Sequence, residues 1–135
     1  MMDINTYQNG NLVFDEDKNL CRVETIILDI VIYSIMESDW TLPIYKTLVS
    51  RLKSIPLTMI WAKRLQFNYD DKKEFSRYFG TVKYAFLPDQ GLHYYGNDKY
   101  IPHECNTVHA VQNLYKSYTG EELDYDVWAD FDCLS

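Results

Sequence analysis

The stretch from His103 to Asp132 constrains the fold most, because its first half carries a helix together with the signal that ends it. Val108, Val111, Tyr115 and Tyr118 recur at helical spacing with Leu114 beside them, which predicts an apolar stripe turned to a core. Cys105, His109, Gln112 and Lys116 fall on the opposite stripe, expected to be the wetter one. Gly120 supplies the left-handed residue that terminates such a helix. Beyond it, Leu123, Tyr125, Trp128 and Phe131 stand among Glu121, Glu122, Asp124, Asp126, Asp130 and Asp132. That mixture predicts a short closing element with a solvated acidic outer face.

The longest periodic segment runs from Lys18 to Glu37. Its polar stripe (Lys18, Arg22, Thr25, Asp29, Tyr33) is narrow, which predicts a central helix with Leu20, Ile27, Ile30 and Val31 deeply buried. The β-branched richness would also suit a strand, but the run is longer than an ordinary strand. Thr41 and Pro43 can open a second helix over residues 42–53, and Ser54-Ile55-Pro56 breaks it. A third helix is expected from about Leu57 to Phe67, with Ile60, Trp61 and Leu65 inward. Asp71 and Glu74 have capping-box spacing for a fourth, which carries Phe75, Tyr78 and Phe79 and stops at Gly80. Leu12 to Phe14 can form a short strand or simply dock, and residues 81–87 suit a short helix or a strand. Residues 88–102 read as one long loop carrying His93, Tyr94, Tyr95, Asp98 and Tyr100. The expectation is a mostly α chain, one domain over 1–135, built as an irregular stack of short helical hairpins.

At 135 residues and 47% apolar content the chain can bury a real core. Cys21, Cys105 and Cys133 are too few for a disulfide framework and suggest reduced thiols in a cytosol. The N-terminus shows no secretory pattern. The charge-free run Ile30 to Met36 is far shorter than the ~20 residues that a spanning helix needs. The net charge of −7 is unevenly spread: residues 1–45 hold eight acids and two bases, residues 46–83 three and nine, residues 84–135 nine and two. Two acidic ends thus flank a basic middle. This balance suits either ends that fold against the middle or a strongly negative surface for a basic partner, and it disfavours direct binding to nucleic acid, which needs a dominant positive field.

No complete catalytic or metal-binding constellation is present. Cys105 and His109 lie one helical turn apart with His103 nearby, but a structural zinc site usually has four ligands. The same pair lacks the third group and oxyanion site that nucleophilic catalysis needs. Asp124-x-Asp126 has the opening spacing of a calcium loop without its later glycine and glutamate. No cofactor, metal or enzymatic activity is therefore expected.

The run Thr119-Gly120-Glu121-Glu122-Leu123-Asp124-Tyr125-Asp126-Val127-Trp128-Ala129-Asp130-Phe131 resembles the closing element of bacterial HEAT-like helical proteins. There a helix ends in Thr-Gly, a Tyr-Asp pair starts a last short helix, and tryptophans dock it. Tyr125, Asp126 and Trp128 match, and Phe131 stands where a second tryptophan is common. Small proteins that end in this way include immunity proteins of bacterial toxin systems. The resemblance implies a toxin inhibitor that meets a basic toxin, such as a nuclease, with an acidic, tyrosine-rich surface. The residues expected to make that contact are Tyr94, Tyr95, Asp98, Tyr100, Glu121, Glu122, Asp124, Asp126 and Asp130. A phage-type anti-defence protein that mimics nucleic acid is the alternative.

Overall fold

The computed structural model describes residues 4–36, 44–69, 74–87 and 90–126. These residues form nine strands and two α-helices, so the mostly α, HEAT-like expectation is overturned. The chain divides into two compact units, Met1–Pro56 with Thr107–Asn113, and Leu57–Asn106 with Leu114–Ser135.

The first unit holds a four-stranded antiparallel sheet in sequential order: β1 (Leu12–Phe14), β2 (Leu20–Ile27), β3 (Ile30–Ile35) and β4 (Ile44–Leu48). The segment expected to be a central helix is the β2–β3 hairpin. Its β-branched side chains favour a pleated surface, and Leu28-Asp29 folds the run into two strands of ordinary length. Leu28 takes a left-handed φ of 58°. Leucine rarely does so, and therefore the turn carries no Gly or Asn signal. Val13, Cys21, Val23, Val31, Tyr33 and Leu52 form the core, with Tyr7, Ile26, Ile35 and Val49 packed against it. Of the four residues expected to be deep, Val31 is, whereas Ile27 is 59% and Ile30 43% exposed and Leu20 is intermediate. Alternation at period two sends Ile27 and Ile30 to the face opposite Val31. The second expected helix is likewise replaced by β4 and a short 3-10 turn, Val49–Arg51.

The first-unit part of helix α2 (Val108–Thr119) closes the free side of β1. Gln112 accepts from the Leu12 N–H at 2.8 Å and donates to the Gly10 carbonyl at 3.2 Å, as a neighbouring strand would. Two residues on, the N–H and carbonyl of Phe14 pair with Lys53. An edge that could pair with another chain is thereby occupied. Asn113 accepts from the Asn11 amide at 2.9 Å and donates to the carbonyls of Ile4 and Thr6, each at 2.9 Å. The stripe expected to be wet is thus buried at His109 and Gln112, because their polar groups serve the N-terminal backbone, and Cys105 before the helix is buried as well.

The second unit begins with α1 (Met59–Arg64), where the helix expected over 57–67 does form. Thr58 caps it by accepting from the Trp61 N–H. Trp61 and Leu65 are buried as expected, but Ile60 is 39% exposed. A five-stranded antiparallel meander follows: β5 (Asn68–Tyr69), β6 (Phe75–Phe79), β7 (Val82–Leu87), β8 (Gly91–Gly96) and β9 (Lys99–Pro102). It replaces both the fourth helix and the long loop. Phe75, Arg77 and Phe79 alternate with Ser76 and Tyr78, so Phe75 and Phe79 are fully buried while Tyr78 is 64% exposed. Gly80, at φ 65°, turns β6 into β7 instead of ending a helix. Asn97 and Asp98 both take left-handed φ and make the tight β8–β9 turn. Thr41, Pro43, Asp71, Trp128, Asp130 and Phe131 lie outside the described residues.

The second-unit core is aromatic. Phe79 stacks on Tyr84 at 4.5 Å and meets Phe67 and Tyr115 edge-on at 6.0 and 5.2 Å. Arg77 lies over the Tyr115 ring at 4.9 Å and donates to the Leu65 carbonyl at 3.2 Å. Gly120, at φ 76°, ends α2 as its position predicts, and its N–H caps the Lys116 carbonyl.

Candidate functional site

Register in the second sheet brings four side chains into one row on the face opposite Phe75, Arg77 and Phe79. Tyr78 pairs with Lys83 across β6 and β7, and Tyr95 pairs with Tyr100 across β8 and β9. The β7–β8 register, Tyr84 to Tyr94, sets Lys83 beside Tyr95. Directly opposed residues share a face, so Tyr78, Lys83, Tyr95 and Tyr100 run across four strands. Tyr78 and Tyr95 are 64% and 45% exposed and, with Thr81 and Lys83, line an open concavity of about 340 Å³.

The row is braced at one end. Tyr95 and Tyr100 meet edge-on at 5.4 Å, and the Tyr100 hydroxyl donates to Glu74 Oε2 at 3.0 Å. The Lys83 ammonium stands 5.8 Å from the centre of the Tyr100 ring. The nearby Tyr100 hydroxyl raises the Lys83 pKa, and the Glu74 charge adds to this. Burial in turn pushes the Tyr100 hydroxyl up. The lysine therefore stays charged beside aromatic rings, and the exposed Tyr78 and Tyr95 keep their faces open.

The residues expected from the sequence to form one surface are divided between several places. Tyr95 and Tyr100 lie in the row, and the exposed Asp98 lies at the turn joining their strands. Tyr94 points to the other face, 6.1 Å from Tyr84 and 6.3 Å from His103, because neighbours in a strand alternate. Glu121, Glu122, Asp124 and Asp126 follow α2. Asp124 Oδ2 is 3.9 Å from Arg77 Nη2, on that same other face, and the Asp126 N–H donates to the Arg64 carbonyl at 2.7 Å. The Glu121 N–H donates to Thr119 Oγ1 at 3.1 Å. Asp130 lies outside the described residues. Sequence reasoning missed Tyr78 and Lys83. The alternation of Phe75 to Phe79 held the signal, legible once the segment is taken as a strand.

Asp15, Cys21, His103 and His109 make their contacts within the fold. Asp15 accepts from the N–H groups of Asp17 and Asn19, both at 2.9 Å, and from the Asn19 side chain at 3.0 Å. Burial, reinforced by the Asp15 charge, pushes the Cys21 thiol up to about 12, so it stays protonated and unreactive at neutral pH. Among the described residues no group of three His, Cys, Asp or Glu side chains is placed to hold a metal ion. His103 Nδ1 accepts from the Cys105 N–H at 3.0 Å. His109 Nε2 lies 2.9 Å from the Asn5 carbonyl, which can only accept, so Nε2 carries the proton.

Burial lowers the pKa of His109 below its ordinary 6.5, and that of His103 likewise. The unfolded chain then takes up protons before the folded one does. The resulting stability is fully present above pH 6.5 and is lost as pH falls through the folded-state value. The unfolding free energy from urea denaturation is expected to fall between pH 7.5 and 5.5, by at most ~1.4 kcal/mol per pH unit for each histidine. His109→Gln, which can still donate to the Asn5 carbonyl, should flatten this dependence. An unchanged pH profile in that variant would show that His109 does not titrate with unfolding.

Among the described residues no helix is long and apolar enough to cross a membrane. No protein-family model matches the chain, and neither a curated protein nor a solved structure matches it.

Proposed function

We propose that the chain is a non-catalytic inhibitor of the immunity type, acting in the cytosol by occluding a basic protein toxin such as a nuclease. The observation that carries this reading is the row Tyr78–Lys83–Tyr95–Tyr100 on one sheet face, with Tyr78 and Tyr95 exposed. Tyrosines offer large, rigid contact area at low entropic cost and are enriched among residues that dominate binding energy. Their faces attract the Lys and Arg side chains by which a nuclease holds phosphates. Glu74 beside the row and Asp98 at its turn supply carboxylates for the rim of such a contact. The net charge of −7 favours encounter with a basic partner over an acidic one.

The test is co-expression with, and calorimetric binding to, a basic toxin encoded beside this chain. Wild type should protect and bind, with an association rate that falls as salt rises. Tyr78→Ala/Tyr95→Ala removes two exposed side chains, so the fold should persist while affinity drops about 30-fold or more, the scale of one lost hot spot. Full protection by that double variant would move the contact elsewhere. A wild type that binds no such toxin would end the inhibitor reading.

A further inference from the structure

A second surface, on the other unit, has a different character. The outer face of the first sheet carries the row Ile27–Ile30–Leu48 across β2, β3 and β4, with exposures of 59, 43 and 41%. The next row holds Ile32 between Thr25 and Lys46, and the one after holds Ile44, 67% exposed, opposite Ser34. Leu28 stands 94% exposed at the hairpin tip. Apolar residues scattered singly over a surface need no explanation, but a contiguous aliphatic row with Ile32 and Ile44 beside it does.

We propose that a second copy of this chain covers this face and forms an isologous dimer. Charge selects that occupant. The charged side chains in these rows are Arg22, Glu24 and Lys46, and Arg22 Nη1 lies 3.5 Å from Glu24 Oε2, so the face has no negative excess to draw a basic partner. Two chains of charge −7 repel over most of their surface and can approach here. Aliphatic composition is also the mark of homodimer interfaces, in contrast to the tyrosine row.

The face is self-complementary. A two-fold axis running along β3, midway between two sheets packed about 10 Å apart, lays β2 of one copy over β4 of the other. Ile30 then meets its own equivalent, Ile27 meets Leu48 of the second copy, and Thr25, with the bulged Glu24 beside it, meets Lys46 of the second copy. Glu24 is the residue at which the β2–β3 register shifts, between Val23 and Thr25. The bulge thus places a carboxylate in the row that faces the opposing lysine. The footprint of three short strands is small, so dimerisation is expected at about 10–100 μM, as for interfaces at the low end of the size range.

Sedimentation velocity of the full chain from about 5 to 500 μM tests this. Wild type should shift from monomer to dimer. Ile30→Lys and Leu48→Lys, both at exposed positions, should remain monomeric with unchanged circular dichroism. Glu24→Lys should weaken association about tenfold, and Glu24→Lys/Lys46→Glu should restore it. Tyr78→Ala/Tyr95→Ala should dimerise like wild type, which separates this surface from the toxin contact. A wild type that stays monomeric throughout, dimers that survive both lysine variants, or a charge-swapped pair that fails to recover would overturn the proposal.

Discussion

Phe79→Ala is expected to destabilise the protein by about 3–5 kcal/mol, while Tyr78→Ala, one residue away, should change stability by no more than about 0.5 kcal/mol. Phe79 has no exposed surface and its ring touches Tyr84, Phe67 and Tyr115. Truncation removes the transfer term of a full aromatic side chain and leaves a cavity. Three surrounding rings also lose an edge or face partner, and rings fixed by strand and helix backbones cannot collapse far into the gap. Tyr78 on the same strand is 64% exposed and leaves no cavity when shortened. Urea denaturation of the two variants checks both values against wild type. The contrast also tests the secondary structure, since a helix would hold both side chains on adjoining parts of one stripe. Equal losses at the two positions would refute the strand and its assignment of faces.

Asn113→Leu should cost about 2–4 kcal/mol although leucine is the larger and more apolar residue. Asn113 is 2% exposed and meets the Asn11 amide and the carbonyls of Ile4 and Thr6. Leucine would leave the donor on Asn11 and both carbonyls with fewer partners in a site shielded from water. Each buried group left unsatisfied costs roughly 1–3 kcal/mol, and the effects overlap because one small movement can expose several groups together. Denaturation measures the loss. Hydrogen exchange should show it spreading to the Leu12 amide, since Gln112 on the same turn holds that N–H. An Asn113→Leu protein as stable as wild type, with Leu12 still protected, would show that the polar network is dispensable.

The local signals that proved legible share one property: each acts within a few residues. Gly120 ends α2 because a left-handed φ costs glycine little, whatever packs nearby. The break at Pro56 and the apolar spacing of Trp61 and Leu65 locate α1 in the same way. The β2–β3 hairpin was not legible because Leu28 takes a conformation that its residue type does not advertise, and surrounding pairings hold it there. In β6, Phe75, Tyr78 and Phe79 satisfy helical spacing while Phe75, Arg77 and Phe79 satisfy alternation. Pairing with β7 decides between them.

The site divides along the same line. That some tyrosines and most carboxylates would reach the surface followed from their chemistry, although Tyr33, Tyr84 and Asp15 are buried. Which of them meet did not, because adjacency across a sheet depends on register between strands distant along the chain. Tyr94 and Tyr95 are neighbours in sequence and stand on opposite faces, whereas Tyr78 and Tyr95 are far apart in the chain and line one concavity. By itself the sequence determined a chain able to bury a real core, an acidic balance, a helix that stops at Gly120 and a shorter helix around Trp61. Only the tertiary structure decided that its β-branched runs become strands, because each strand's backbone hydrogen bonds must be supplied by another segment.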